Sequence, residues 1–107
     1  MSRSVIILPR AKADLHDAAA WWAEHRSSEQ ALRWYEGFID ALESLADQPE
    51  RHPPARENER FPYDIRELHY GLGSRPTHRA VFTIRPDAVV VLTIRHAARA
   101  DISPEDV

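Results

Sequence analysis

The sequence contains no cysteine, and this absence excludes a disulfide framework, a thiol nucleophile and a cysteine-ligated zinc site. Long hydrophobic runs are also missing. The longest apolar stretches, 5–9 and 88–94, are far shorter than the roughly 20 residues that a membrane helix needs. The N-terminal residues include no apolar segment of signal-peptide length. We therefore expect a cytoplasmic protein with no membrane partner.

Histidine is present, but its spacing does not indicate a metal site. Among the six histidines, His16 and His25 fall on opposite faces of a predicted helix, because each residue turns the helix by ~100°. The other histidines include no pair at i and i+4, the spacing typical of ligands on one helix face. We expect neither a metal nor a cofactor.

Lysine is almost absent, since Lys12 is the one lysine among 14 cationic residues. The excess of arginine suits recognition of phosphate or carboxylate, although GC-rich coding would produce it equally well. The net charge of -3 conceals two regions of opposite sign. Residues 12–50 carry a net charge of -6, and residues 60–100 carry +4. A polyanion would therefore bind the second region.

The chain of 107 residues is long enough for one domain over 1–107. Its content of 43% hydrophobic and 29% charged residues is typical of a globular fold rather than a disordered chain.

The apolar patterns predict strands at about 3–8, 61–70, 77–84 and 88–95, with a helical hairpin at about 10–48. Ser27 followed by Gln30 has the form of a capping box that opens the second helix. We expect an α+β fold in the order β-α-α-β-β-β, with the hairpin packed on one face of an antiparallel sheet. The other sheet face would then be free to carry the function.

This arrangement resembles the RelE/ParE superfamily of toxins from bacterial type II toxin-antitoxin modules. The resemblance covers nearly the whole chain. It lies in six short segments: Ala11-x-x-Asp14-Leu15, Leu42-x-x-Leu45 to Pro49, Ile65-Arg66-x-Leu68, His78-Arg79-Ala80-Val81-Phe82-x-Ile84, Val89 to Ile94, and His96-x-x-Arg99-x-Asp101. It implies a growth-inhibiting toxin that stabilises a plasmid or chromosome and is neutralised by a cognate antitoxin protein.

The superfamily has two branches, and the end of the last predicted strand favours one of them. RelE-like members are ribosome-dependent mRNA endonucleases, whereas ParE-like members are associated with poisoning of DNA gyrase. The ending His96-Ala97-Ala98-Arg99 has no tyrosine after the histidine and so resembles the ParE branch. The resemblance therefore implies a non-catalytic toxin that inhibits gyrase.

An endonuclease acting on ribosome-bound mRNA is the alternative. Cleavage by a 2'-hydroxyl needs a base, an acid and cations for the developing negative charge. His96 would serve as base or acid, while Arg66 and Arg79 would supply the cations. A structural interpretation competes with this one: Arg79 would pair with a carboxylate such as Asp14, and His96 would cap the sheet edge or contact the antitoxin. A third alternative is a degenerate toxin that binds its antitoxin only as a co-repressor.

The candidate residues for binding the target or the antitoxin are cationic or aromatic. Two tryptophans lie off the predicted core stripes and are therefore candidates for a partner surface, although packing between the two helices would explain them equally well. The full set is Arg66, Arg79, Arg95, His96, Arg99, Trp21 and Trp34.

Overall fold

The computed structural model describes residues 3–73 and 75–107 and shows the predicted α+β order, β-α-α-β-β-β. The elements are β1 (Ser4–Ile7), α1 (Pro9–His25), α2 (Ser28–Glu43), β2 (Arg66–Tyr70), β3 (His78–Ile84) and β4 (Ala88–His96). Residues 1, 2 and 74 lie outside the described residues; residue 74 belongs to the connection between the strands predicted at 61–70 and 77–84. None of the helices that the structure describes is both long and apolar enough to cross a membrane.

The four strands form one sheet in the order β1-β4-β3-β2. The strands β2, β3 and β4 are antiparallel to their neighbours, and β1 lies parallel to β4. β4 is therefore a central strand along its first half. Its sequence is apolar on both faces because the helices pack on one face, and the loop before β2 and the C-terminal tail pack on the other. The register between β3 and β4 shifts between Val81 and Phe82.

The strand predicted at 61–70 begins only at Arg66. Residues before it are irregular because Pro62 has no N–H to give to a ladder. In addition, the Asn58 side chain accepts a hydrogen bond from the Ile65 backbone N–H at 2.7 Å. Phe61 and Ile65 are nevertheless buried, so the apolar character of this segment reflects packing rather than strand pairing.

The second helix begins where its capping pattern indicates, since the Ser27 side chain accepts a hydrogen bond from the Gln30 N–H. Its buried residues are Ala31, Trp34, Phe38 and Leu42. Trp34 is 0% exposed, and its proposed role in binding a partner is therefore wrong. The helix is rotated so that Trp34 is fully buried, while its neighbour Tyr35 is half-buried and packs against the same core.

The sheet face opposite the helices is covered, contrary to the expectation that it would be free. Residues of the loop between α2 and β2 and of the C-terminal tail form a second core cluster against β3 and β4. Its buried members are Ala55, Phe61, Ile65, Val81, Leu92 and Ile102. A nucleic acid or protein partner consequently cannot occupy the part of this face that these residues of β3 and β4 form.

Candidate binding groove

A groove of about 520 Å³ lies between α1 and the C-terminal half of β4. β1 pairs with β4 only as far as Val91. Beyond Val91, one edge of β4 still pairs with β3, and the other edge lies beside α1. Both the helix and the strand end contribute side chains. The lining residues are Asp14, Asp17, Ala18, Trp21, Trp22, Arg26, Thr77, His78, Ile94, Arg95, His96 and Arg99.

Asp14 joins α1 to this part of β4. Its Oδ2 accepts a hydrogen bond from the Thr93 hydroxyl at 2.8 Å and another from the Ile94 backbone N–H at 3.1 Å. A buried strand N–H without a partner is costly, and the carboxylate satisfies it where no strand does. Asp14 therefore fixes the position of the groove's two walls.

The aromatic wall of the groove is held in place by stacking. Trp21 is 48% exposed and stacks on His25 with ring centroids 4.4 Å apart. It also meets Trp22 edge-on, and Trp22 stacks on the buried Trp34 at 6.5 Å. Rings fixed in this way offer apolar contact area at a small entropic cost, which is typical of binding anchors.

The opposite wall is cationic. Arg95 and Arg99 lie on it with His96, and Arg26 follows the end of α1. The Arg95 side chain donates a hydrogen bond to the Ala100 carbonyl at 2.9 Å, which ties the strand end to the tail. Guanidinium groups beside an apolar floor suit a partner that combines a carboxylate with an apolar side chain.

Two histidines face each other where β3 and β4 meet the groove. His78 pairs with His96 across the strands, and their rings are 5.3 Å apart at an angle of 70°. Burial, reinforced by the charge of His96, lowers the pKa of His78 from 6.5 to about 4. His78 is therefore neutral at pH 7.

Arg79 lies away from the groove, on the covered face of the sheet. It is 1% exposed. Its Nη1 donates to Glu57 Oε1 at 2.8 Å and to Glu67 Oε1 at 3.2 Å, and its Nη2 donates to Glu57 Oε2. The predicted pairing of Arg79 with a carboxylate is correct, but Asp14 is the wrong partner, because it is engaged with β4.

The Arg79 cluster also anchors the tail, since Glu57 Oε2 accepts the Ile102 N–H at 2.9 Å. Burial alone would raise the pKa of Glu57, but the hydrogen bonds from Arg79 and Ile102 outweigh it and lower that pKa from 4.5 to about 2. Burial by itself would lower the pKa of Arg79. The hydrogen bonds and the charge of Glu57 outweigh this effect, and the pKa of Arg79 is raised. Both groups stay charged at neutral pH and neutralise each other.

Arg66 has a structural contact as well. Its Nη1 donates to the carbonyl oxygens of Glu50 at 3.1 Å and His52 at 2.6 Å, which holds the loop after α2. The three residues of the nuclease hypothesis, Arg66, Arg79 and His96, are therefore not brought together. The groove instead gathers four of the predicted binding residues: Trp21, Arg95, His96 and Arg99.

Comparison with known proteins decides between the two branches. The model of the family described as "ParE toxin of type II toxin-antitoxin system, parDE" matches residues 5–101. The chain belongs to the ParE toxin family. This confirms the predicted resemblance and its ParE-like branch.

A solved structure of the chromosomal ParDE toxin-antitoxin system from P. aeruginosa is similar to this ParE-family chain, with a TM-score of 0.70 and 20% sequence identity. The match covers 89% of this chain and 96% of that one, and it supports the fold. A search of curated proteins gave no match. Membership of a toxin-antitoxin family implies an antitoxin partner.

Several residues of the ParE-family groove were not among the predicted candidates: Asp14, Asp17, Trp22, Arg26 and His78. Asp14 could have been found, because a carboxylate between the buried positions Ala11 and Leu15 requires a hydrogen-bonding partner. Glu57 gives no such signal, since it lies in a polar, proline-rich loop that is typical of exposed chain. Within residues 3–73 and 75–107, no three His, Cys, Asp or Glu side chains are grouped so as to hold a metal ion.

Proposed function

We propose that this ParE-family protein acts by binding, that DNA gyrase is its target, and that a cognate antitoxin neutralises it by masking the groove. The observation that carries the proposal is that the Arg79 side chain is buried and paired with carboxylates. Its guanidinium is enclosed by Glu57 and Glu67, while the exposed Trp21 and the cationic wall face the groove.

The positions of the charged groups argue against RNA cleavage. A catalytic cation must reach the reacting phosphate together with the acid and the base. Arg79 is buried on the covered face, Arg66 is bonded to the loop after α2, and His96 lies at the groove. Opening the buried ion pair to free Arg79 would leave uncompensated carboxylates, at a cost of about 3–5 kcal/mol.

The groove also favours a particular kind of antitoxin segment. Its arginines suit carboxylates, and the tryptophans suit an apolar anchor beside them. The sequence predicts Arg66 and Arg79 among the residues that bind the target or the antitoxin, where antitoxin carboxylates would meet them. Because Arg79 is buried in its ion pairs and Arg66 does not line the groove, we propose Arg95 and Arg99 as the cations that such carboxylates meet.

A supercoiling assay with purified gyrase and antitoxin-free toxin tests the target. We expect the wild-type protein to inhibit supercoiling, and Trp21→Ala and Arg99→Ala to raise the half-inhibitory concentration by about tenfold each, as for an interface anchor. Leu32→Ala and Arg33→Ala are matched controls, since both residues are exposed on α2 and do not line the groove. They should change the half-inhibitory concentration by less than about twofold.

Three results would contradict the proposal in different ways. Unimpeded supercoiling at saturating toxin would exclude gyrase as the target. Cuts at codon positions in translated mRNA that disappear in a folded His96→Ala variant, in which the buried Arg79 ion pairs are intact, would instead support the endonuclease. No growth arrest upon expression without antitoxin would support a co-repressor that lacks toxicity.

A further inference from the structure

The turn that follows β4 is built around the His96 side chain. Its Nδ1 accepts a hydrogen bond from the Ala98 backbone N–H at 3.1 Å, and its carbonyl accepts one from the Arg99 N–H at 3.0 Å. From the other side, Arg56 donates to the Ala97 carbonyl at 3.1 Å and to the Arg99 carbonyl. The turn 96–99 thus positions Arg99 in the wall of the groove.

The hydrogen bond to Ala98 depends on the charge of His96. A neutral imidazole has one nitrogen that accepts and one that donates, and an imidazolium has two donors. Since Nδ1 accepts, the proton of the neutral ring lies on Nε2. Protonation of the ring would place a hydrogen on Nδ1 opposite the Ala98 N–H and break this bond.

The geometry matches that of an Asx turn, in which a side-chain acceptor of one residue bonds the N–H two residues later. Asparagine at position 96 would place its amide oxygen near the present Nδ1. Glutamine, one methylene longer, would place its oxygen nearer the present Nε2. The two amides therefore form a matched pair, of which only asparagine preserves the bond, and neither changes charge with pH.

We propose that His96 is a proton-sensitive positioning residue of the groove. In its neutral form it adds the hydrogen bond to Ala98 that helps to hold the turn 96–99, the backbone that presents Arg99; protonation removes that bond. The consequence for partner binding rests on the proposed function of the groove. The effect on the turn itself does not.

Charged groups face His96 from every element around it. Arg95 on β4, Arg99 in the turn, Arg26 after α1, and Asp14 and Asp17 on α1 line the groove together with His96. Arg56 adds a cation behind the turn, and His78 on β3 faces the ring. Because the pKa of His78 is about 4, changes between pH 5 and 8, the range in which imidazoles commonly titrate, do not arise from His78.

Nuclear magnetic resonance of the isotope-labelled full chain tests the proposal between pH 5 and 8. The hydrogen-exchange protection factor of the Ala98 amide is measured while the His96 ring resonances report its charge. In the wild type we expect protection to fall about fivefold as the ring is protonated, which corresponds to one hydrogen bond. In His96→Asn it should stay constant, and in His96→Gln it should be low at every pH.

The proposal is overturned if Ala98 protection is unchanged while the wild-type ring titrates, or if the asparagine variant behaves as the glutamine variant does. Thermal unfolding of both variants verifies that they are folded. In the gyrase assay, the half-inhibitory concentration of the wild type relative to His96→Asn should rise from pH 8 to pH 6. Absence of inhibition at all pH values would count against gyrase as the target and leave the Ala98 result intact.

Discussion

The hydroxyl of Tyr70 occupies the space over Gly37 on α2. It donates a hydrogen bond to the Trp34 carbonyl at 3.0 Å, and the Tyr70 ring stacks on Phe38 with centroids 4.4 Å apart. A Cβ added to Gly37 would lie 2.2 Å from that hydroxyl oxygen. The glycine therefore permits the edge strand β2 to bond the middle of the helix.

This contact predicts that the cost of Gly37→Ala depends on the Tyr70 hydroxyl, which a double-mutant cycle measures. Gly37→Ala should destabilise the protein by about 1–3 kcal/mol, because the new methyl group collides with the hydroxyl. In a Tyr70→Phe background the hydroxyl is gone and the nearest ring atom would be 3.2 Å away. The same change should then be close to neutral, since alanine favours a helix by up to about 1 kcal/mol over glycine. Urea unfolding of the four proteins measures the coupling, and equal costs in both backgrounds would refute it.

The buried Glu57 predicts a specific acid sensitivity. Its pKa of about 2 in the folded protein lies below its usual value of 4.5. The stabilisation is therefore complete above pH 4.5 and is lost as the pH falls toward 2. Glu57→Gln should cost about 3 kcal/mol at pH 7, and its difference from the wild type should shrink below pH 4.5. The exposed Glu59→Gln is the control in urea unfolding at pH 7, 4.5 and 3; a difference that stays constant with pH would contradict the assignment.

Truncation of Trp34 should destabilise the protein much more than truncation of Trp21. Trp34→Ala removes a fully buried ring and should cost about 3–5 kcal/mol. Trp21→Ala removes a half-exposed ring and should cost less than about 0.5 kcal/mol. Thermal unfolding is sufficient, because 1 kcal/mol shifts the Tm of a domain of this size by about 4–8 °C. Similar Tm values for the two variants would disprove the burial of Trp34.

Asp14 is expected to slow hydrogen exchange in the C-terminal part of β4, which does not pair with β1. Asp14→Ala leaves the Ile94 N–H and the Thr93 hydroxyl without their acceptor and should cost about 1–3 kcal/mol. Asp14→Asn keeps one acceptor oxygen and should cost less. Hydrogen exchange of the Ile94 amide should accelerate in the alanine variant, and the groove-lining Asp17→Ala should leave it unchanged. An Ile94 amide that exchanges slowly in Asp14→Ala would show that another group satisfies it.

The helical hairpin could be predicted from the sequence because its signals are local. Each signal depends on neighbouring residues alone: the spacing of Ala11 and Leu15, the cap at Ser27, and the order of the elements along the chain. Trp34 could not be placed in this way. It is adjacent to Tyr35 on the helix surface, and only the rotation of α2 against the sheet decides which of the two rings is buried.

Only part of the candidate site could be predicted, because residue type is local information and the pairing of distant residues is not. The sequence predicts four of the groove residues as residues that bind a partner, and the fold brings them to one groove: Trp21, Arg95, His96 and Arg99. Arg79 was recognised as well, but its partner Glu57 comes from a loop 22 residues earlier in the chain. A polar loop is typical of exposed chain, so its sequence does not reveal that it closes over the sheet.

By itself, the sequence determined the element order, the family resemblance and the excess of arginine in the second half of the chain. Only the tertiary structure decided which arginines remain accessible. The strand pattern places Arg79 on a particular sheet face, but the burial of that face depends on the distant loop and tail that pack against it. Burial requires a compensating carboxylate, and this long-range pairing turns Arg79 into a structural residue and leaves Arg95 and Arg99 at the groove.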